Sequence, residues 1–155
     1  IPGIYIHSML GTQNDTKKLA NTHHNRSINR HRWQEDILEL ALANKNLHHH
    51  KVLSTLKTLL DIRIKQPAFH PNATQFTLHL GLQLFGFWRQ SLNRKQSIFC
   101  VSNISNQPVV LPLSELNLII TKSWYELISQ REITELSQEM TLAPYQTVWI
   151  ANQQS

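Results

Sequence analysis

The chain has 155 residues, 41% of them hydrophobic and 16% charged, which suits a packed core and excludes a chain disordered by composition. Its net charge of +5 is weighted to the first 66 residues, with ten Lys/Arg against five Asp/Glu, but without the dense basic run or aromatic platform that a nucleic-acid partner needs. No apolar run approaches the ~20 residues that cross a bilayer, so no membrane partner is predicted, and the single Cys100 excludes an internal disulfide and fits a reducing, cytoplasmic setting.

The chain opens on Ile1-Pro2-Gly3-Ile4-Tyr5-Ile6-His7, in which residues 4–8 read as a buried strand that starts abruptly. Residues 9–33 hold three turn formers, Gly11, Asn14 and Asn21, and no sustained apolar period, so they read as loop. A strand carrying a long polar loop at its carboxyl end is how an α/β enzyme presents an active-site loop. The expectation is the carboxy-terminal piece of a larger enzyme. Residues 35–43 then place Ile37, Leu38, Ala41 and Leu42 at helical spacing, and Asn44-Lys45-Asn46 interrupts it. Residues 51–66 form the clearest helix, with Val52, Leu53, Leu56, Leu59, Leu60 and Ile64 on one face and Pro67 as its stop.

Composition changes at residues 66–71. Beyond it, short β-type runs at 76–80, 84–89, 98–103, 109–113, 118–120, 140–142 and 147–151 are separated by turn residues. Strands so spaced, without helices between them, predict an antiparallel sheet or small sandwich. The fold class is therefore α+β, with a boundary that divides the chain into 1–70 and 71–155.

The main candidate for chemistry is Asn25-Arg26-Ser27-Ile28-Asn29-Arg30. Two arginines four residues apart above a strand end can clamp a carboxylate or phosphate through bidentate hydrogen bonds. The plainer reading is a solvated loop whose arginines tie to backbone carbonyls. His48-His49-His50 invites a metal, but consecutive histidines on a regular helix cannot all face one ion, and a solvated helix start is the simpler reading. No metal and no cofactor are predicted. Asp15, Glu35, Asp36, Glu39 and Asp61 show no pair poised for acid/base work, and four glycines leave no phosphate loop. Trp88, Trp124 and Trp149, with Phe85, Phe87 and Tyr145, are a candidate sugar-stacking platform, although aromatics in strands more often build cores.

In order along the chain, these residues resemble one family. Ile1-Pro2-Gly3-Ile4-Tyr5-Ile6, then Asn14-Asp15, Thr22 and Arg26-Ser27-Ile28-Asn29-Arg30, resemble the end of the catalytic barrel in α-amylase-family glycoside hydrolases, nearest the sucrose phosphorylase branch. Ile62-Arg63 with Gln66-Pro67-Ala68-Phe69-His70-Pro71 resembles the exit from the last barrel helix. Trp124-Tyr125-Glu126-Leu127-Ile128-Ser129 and Leu142-Ala143-Pro144-Tyr145-Gln146-Thr147-Val148-Trp149 resemble the final strands of the appended β-domain.

The resemblance implies that residues 1–70 are the eighth strand, eighth active-site loop and closing helices of a (β/α)8 barrel, and 71–155 its C-terminal antiparallel domain. It implies a retaining α-glucosyl-transferring enzyme, sucrose-phosphorylase-like, whose three catalytic carboxylates follow earlier strands; no catalytic residue is therefore expected in this chain, which alone is expected to be inactive. Arg26 matches the arginine at the floor of the glucose subsite, paired with an aspartate from an early barrel loop, with Asn14, Asp15 and Arg30 in support. The implied partners are a sugar, phosphate, and the upstream barrel of the same polypeptide. His23-His24-Asn25 departs from the family pattern, which leaves phosphorolysis, another acceptor and hydrolysis all open. The alternative function is a stand-alone β-domain acting as a structural or carbohydrate-binding module. A barrel strand without neighbours has unpaired edges, so residues 1–33 are expected to be disordered, to refold, or to self-associate through that strand.

Overall fold

The computed structural model describes residues 3–116, 123–134 and 139–152. It divides into two compact units, Ile1–Asp61 and Ile62–Ser155.

In the first unit the strand expected over residues 4–8 is not formed. Tyr5 is extended, but Ile6–Met9 is a short helix, α1, in which the Met9 N–H reaches the Tyr5 carbonyl at 3.1 Å and the Leu10 N–H reaches that of Ile6 at 3.0 Å. The physical reason is backbone satisfaction: a strand takes its hydrogen bonds from neighbours, none lies in the described residues of this unit, and the groups close locally instead. The edge through which that strand would self-associate is likewise not formed.

The loop expected over 9–33 also contains more structure than its sequence suggested. Thr16–Thr22 is a helix, α2, followed by a 3-10 turn at Asn25–Ser27. Its apolar content is only Leu19 and Ala20, so no periodicity advertised it; the sequence signal was the Asp15 cap, which accepts the Lys18 N–H at 2.9 Å. Helix α3, Glu35–Ala43, coincides with its apolar spacing and carries Glu35 and Asp36 in the first turn, where the macrodipole favours them. Helix α4 runs His48–Ile64, starting three residues before the expected span. It stops short of Gln66, whose side-chain amide turns back to the Ile62 carbonyl at 3.2 Å. Ala41 is the only buried residue among those described between 3 and 61.

The second unit is all antiparallel. After a 3-10 turn at Pro67–Phe69 come β1 Thr74–Leu78, β2 Leu84–Gln90, β3 Ser97–Asn103, β4 Val109–Pro112, β5 Trp124–Glu126, β6 Arg131–Ile133, β7 Glu139–Leu142 and β8 Thr147–Ala151. Six strands are ordered β1-β2-β3-β8-β5-β6, and β4 pairs with β7 in a second small sheet. Six of the seven expected strands coincide with these; the one at 118–120 lies outside the described residues. The sequence missed β5 and β6, which at three residues each are too short for alternation to register.

Strand β3 is buried on both faces, which explains why Ile98-Phe99-Cys100-Val101 reads as an unbroken apolar run. Phe99 and Val101 join Leu84, Val148 and Ile150 against Leu111, Leu113, Leu116 and Leu142. Ile98 and Cys100 join Ala151 and Leu127 under Ile62, Ala68 and Phe69. The second cover is tied down by two side chains. The Arg89 guanidinium donates to the carbonyls of Ala68 at 2.9 Å and His70 at 2.6 Å, while the Gln96 amide oxygen accepts the Ala68 N–H at 2.9 Å.

Two buried polar residues close the loops of the sheet. The Glu126 carboxylate accepts the backbone N–H groups of Ile128, Ser129 and Trp149 at 3.1, 2.6 and 2.9 Å. Asn103, 2% exposed, donates its amide to the carbonyls of Gln107 and Ala143 and accepts the Ser105 N–H, at 2.7, 2.9 and 2.9 Å. Asn103→Ala strands these partners in the interior and is expected to cost about 1–3 kcal/mol; an unchanged denaturation midpoint would refute it. Burial pushes the Cys100 thiol up to about 12, so the thiolate is absent near neutrality. Thiol-specific labelling at pH 8 is expected to track unfolding of this unit, and rapid labelling of the native chain would contradict that.

Candidate functional site

The first unit carries the residues that the sequence singled out. Its backbone is organised by side chains reaching carbonyls and hydroxyls. The Tyr5 hydroxyl donates to the Asn29 carbonyl at 3.0 Å and the Lys18 ammonium to that of Arg30 at 2.6 Å. Thr22 donates to the Lys18 carbonyl, and its oxygen lies 2.8 Å from the Ser27 hydroxyl. His23 ends α2 in the left-handed region, at φ 53°, which turns the chain toward Arg26.

Two depressions result. One, of about 300 Å³, is lined by Thr12, Asn14, Asp15, His31, Trp33 and His49, among others. The Trp33 indole N–H donates to the Thr12 hydroxyl at 2.9 Å, and the His31 and His49 rings meet the Trp33 ring edge-on at 4.9 and 5.0 Å. The other, of about 550 Å³, is lined by Lys18, Arg26, Arg30 and Arg32, by His7, His24 and His31, and by Thr22 and Ser27. Arg26, Arg30 and Arg32 are exposed.

The structure thus brings Arg26 and Arg30 to one groove and places Asn14 and Asp15 in the neighbouring cleft. Asp15 has structural work: it caps α2 and its second oxygen faces the His31 ring nitrogen at 3.2 Å. His48, His49 and His50 each place a ring nitrogen within 2.9 Å of a backbone carbonyl, of Gly11, Leu10 and Leu42 respectively. No group of three metal-ligating side chains occurs among the described residues. Trp33, Thr12 and His31 were missed by sequence reasoning; no spacing rule pairs them, since their meeting depends on the turns around α2.

The six aromatics of the candidate platform do not gather on one surface: Trp88 and Trp124 pack with one core and Phe87 and Trp149 against the other, while Phe85 and Tyr145 are exposed. Trp124 is 2% exposed, and half-buried Trp88 stacks between exposed Phe76 and buried Phe99 at 4.9 and 5.9 Å, against the core. Trp149 meets Phe69 edge-on at 5.0 Å. No helix among the described residues is long and apolar enough to cross a membrane.

Residues 68–149, more than half of the chain, match the family described as Maltogenic Amylase, C-terminal domain. The chain belongs to this family. The amylase C-terminal match coincides with the antiparallel second unit. The chain is also similar to the glucosylglycerate phosphorylase of Allomeiothermus silvanus, 32% identical over 150 residues, covering 97% of this chain and 24% of that protein. The glucosylglycerate phosphorylase of Escherichia coli K12 is 28% identical over 151 residues, with 97% and 25% covered. The chain therefore spans about a quarter of the length of these relatives. Among solved structures, AmyP in complex with maltose superposes with a TM-score of 0.57 at 10% identity, over 70% of this chain and 22% of that one. An Anoxybacillus α-amylase gives 0.52 at 15%, over 72% and 24%. These show the amylase-family C-terminal β-sheet fold.

The Lys18 backbone N–H, and then the His31 side chain, hold the Asp15 carboxyl below its ordinary value. A depressed folded value means that the cap's contribution is present above the ordinary ~3.9 and is lost as pH falls through the folded value. The Asp15 carboxyl carbon is expected to titrate below ~3.9, followed by the Lys18 amide, and His31→Ala to raise that midpoint only in part. A midpoint at or above the ordinary value in the unaltered chain would show that the cap does not act as described.

Proposed function

We propose that this chain serves as the carboxy-terminal part of a retaining α-glucosyl phosphorylase of the amylase family. One observation carries the reading: the similarity to glucosylglycerate phosphorylases runs across 97% of the chain rather than over the β-domain alone. In this proposal the first unit supplies the last segment of a (β/α)8 barrel, and the helix at Ile6–Met9 is the form that segment takes without barrel neighbours. Arg26 closes the glucose subsite by pairing with an aspartate from an early barrel loop, which would limit the pocket to one glucosyl unit. What supports that role is its exposure and its lack of any hydrogen-bond or ion-pair partner among the described residues. Arg30 and Asn14 assist; Asp15 acts through the α2 cap. The lone buried Cys100 supports the cytoplasmic setting.

The relatives' name moves the acceptor from fructose toward glycerate. In the complete enzyme, a carboxylate displaces glycerate from the glucosyl carbon to form a glucosyl ester while a second carboxylic acid protonates the departing glycerate oxygen. Phosphate oxygen then attacks that carbon, expelling the first carboxylate and returning a proton to the second. Two displacements retain the α configuration and yield α-glucose 1-phosphate.

The full-length protein is expected to release glucose 1-phosphate from α-glucosylglycerate and phosphate, faster than from sucrose and phosphate, while the 155-residue chain alone releases none. Arg26→Ala in the full-length protein is expected to lower kcat/KM by about 100-fold or more, the scale of a lost subsite charge pair. Absence of glucose 1-phosphate with either donor would overturn the proposal.

A further inference from the structure

The 550 Å³ groove of the first unit is lined by Lys18, Arg26, Arg30 and Arg32 together with His24 and His31, and by no carboxylate. Of the acids nearest in sequence, Asp15 is already engaged by the Lys18 N–H and His31, while Glu35 and Asp36 sit in the first turn of α3 and do not line the groove. That His31–Asp15 contact is the only ion pair among the described residues. The guanidinium groups of Arg26, Arg30 and Arg32 have no hydrogen-bond partner there either, and the Lys18 ammonium reaches only the Arg30 carbonyl. Cations gathered around one depression repel one another, and an anion with several oxygens relieves this while matching the guanidinium fork. The depression is far larger than one oxyanion, so the charged group of a small molecule fits with room for the rest of it.

We propose that Arg30 and Arg32, with Lys18 beside them, form a binding site for a small oxyanion, which adjoins the glucose subsite closed by Arg26 and adds to the supporting part that Arg30 has there. The site stands on the groove itself. The choice of phosphate and glycerate as its candidate occupants rests on the phosphorylase reading, in which both substrates accepted by the glucosyl group are anions. One cationic site serves either in turn, since phosphate enters where glycerate has left.

The test is a titration of the 155-residue chain with inorganic phosphate, read on the arginine side-chain Nε–H resonances at constant ionic strength set with chloride. Saturable shifts are expected at Arg30 and Arg32 and not at Arg94, which lies in the second unit. The double variant R30Q/R32Q is expected to weaken phosphate by about tenfold or more, the loss of charge-assisted hydrogen bonds. R30K/R32K, which keeps the charge and loses the fork, is expected to fall between, and R94Q to change nothing. Competition by D-glycerate identifies a carboxylate occupant and its absence a phosphate-selective one; either supports the site. Shifts linear in phosphate at every arginine, or equal affinity in R30Q/R32Q, would overturn it. So would displacement by micromolar DNA oligonucleotide, which marks a polyanion surface. Because binding is read without turnover, phosphate binding in a protein that makes no glucose 1-phosphate would sink the phosphorylase reading and leave the oxyanion site standing.

Discussion

The second unit depends on the double burial of β3. A strand covered on one side only would expose Ile98 and Cys100, and a strand of this composition could not alternate its way out. The cover over that face is a short irregular segment whose backbone groups would be costly to bury unpaired. Arg89 and Gln96, both projecting from the sheet region, supply those partners at Ala68, His70 and the Gln66 side chain, which lies 2.6 Å from the Gln96 amide. Polar side chains here make an apolar contact possible. With Ala68 and Phe69 held, Ile62 and Leu127 complete the layer over Ile98 and Cys100.

The first unit is built on a different principle. It buries little and relies on side chains that bond to backbone: Tyr5, Lys18, Thr22 and Asp15 each fix a turn that no hydrophobic layer fixes. Such scaffolding leaves the cationic groups uncommitted. Arg26, Arg30 and Arg32 remain exposed because the local turns are satisfied without them. The plainer reading of this loop is thus half met: the arginines are solvent-exposed, as it expects, but their guanidinium groups tie to no carbonyl among the described residues.

The β-domain was legible because its signals are local. Runs such as 84–89 and 147–151 are long enough to show β composition, and the turn residues between them are explicit. Helix α3 was legible for the same reason, through apolar spacing at Ile37, Leu38, Ala41 and Leu42. What failed was whatever depended on distant partners. The stretch at Tyr5–Ser8 has a strand's composition, yet composition cannot supply the neighbours that a strand must bond to. Helix α2 escaped notice because its stability lies in the Asp15 cap and not in an apolar stripe. At the candidate site, Arg26 and Arg30 could be marked by residue type, whereas Trp33 and His31 entered only through folding of the chain around Thr12 and Asp15.

The arrangement of β3 has a further meaning. Its alternate side chains belong to two cores that share a backbone and no side-chain layer: Phe99 and Val101 answer to one set of neighbours, Ile98 and Cys100 to another. Substitutions on opposite faces meet different side-chain partners, so coupling between their energetic effects has to pass through the shared backbone. One strand thus acts as a partition wall, and the inner core can stay fixed while the layer beneath Ala68 and Phe69 drifts. A domain partitioned in this way can change the side chains of one face while those packed on the other keep their neighbours.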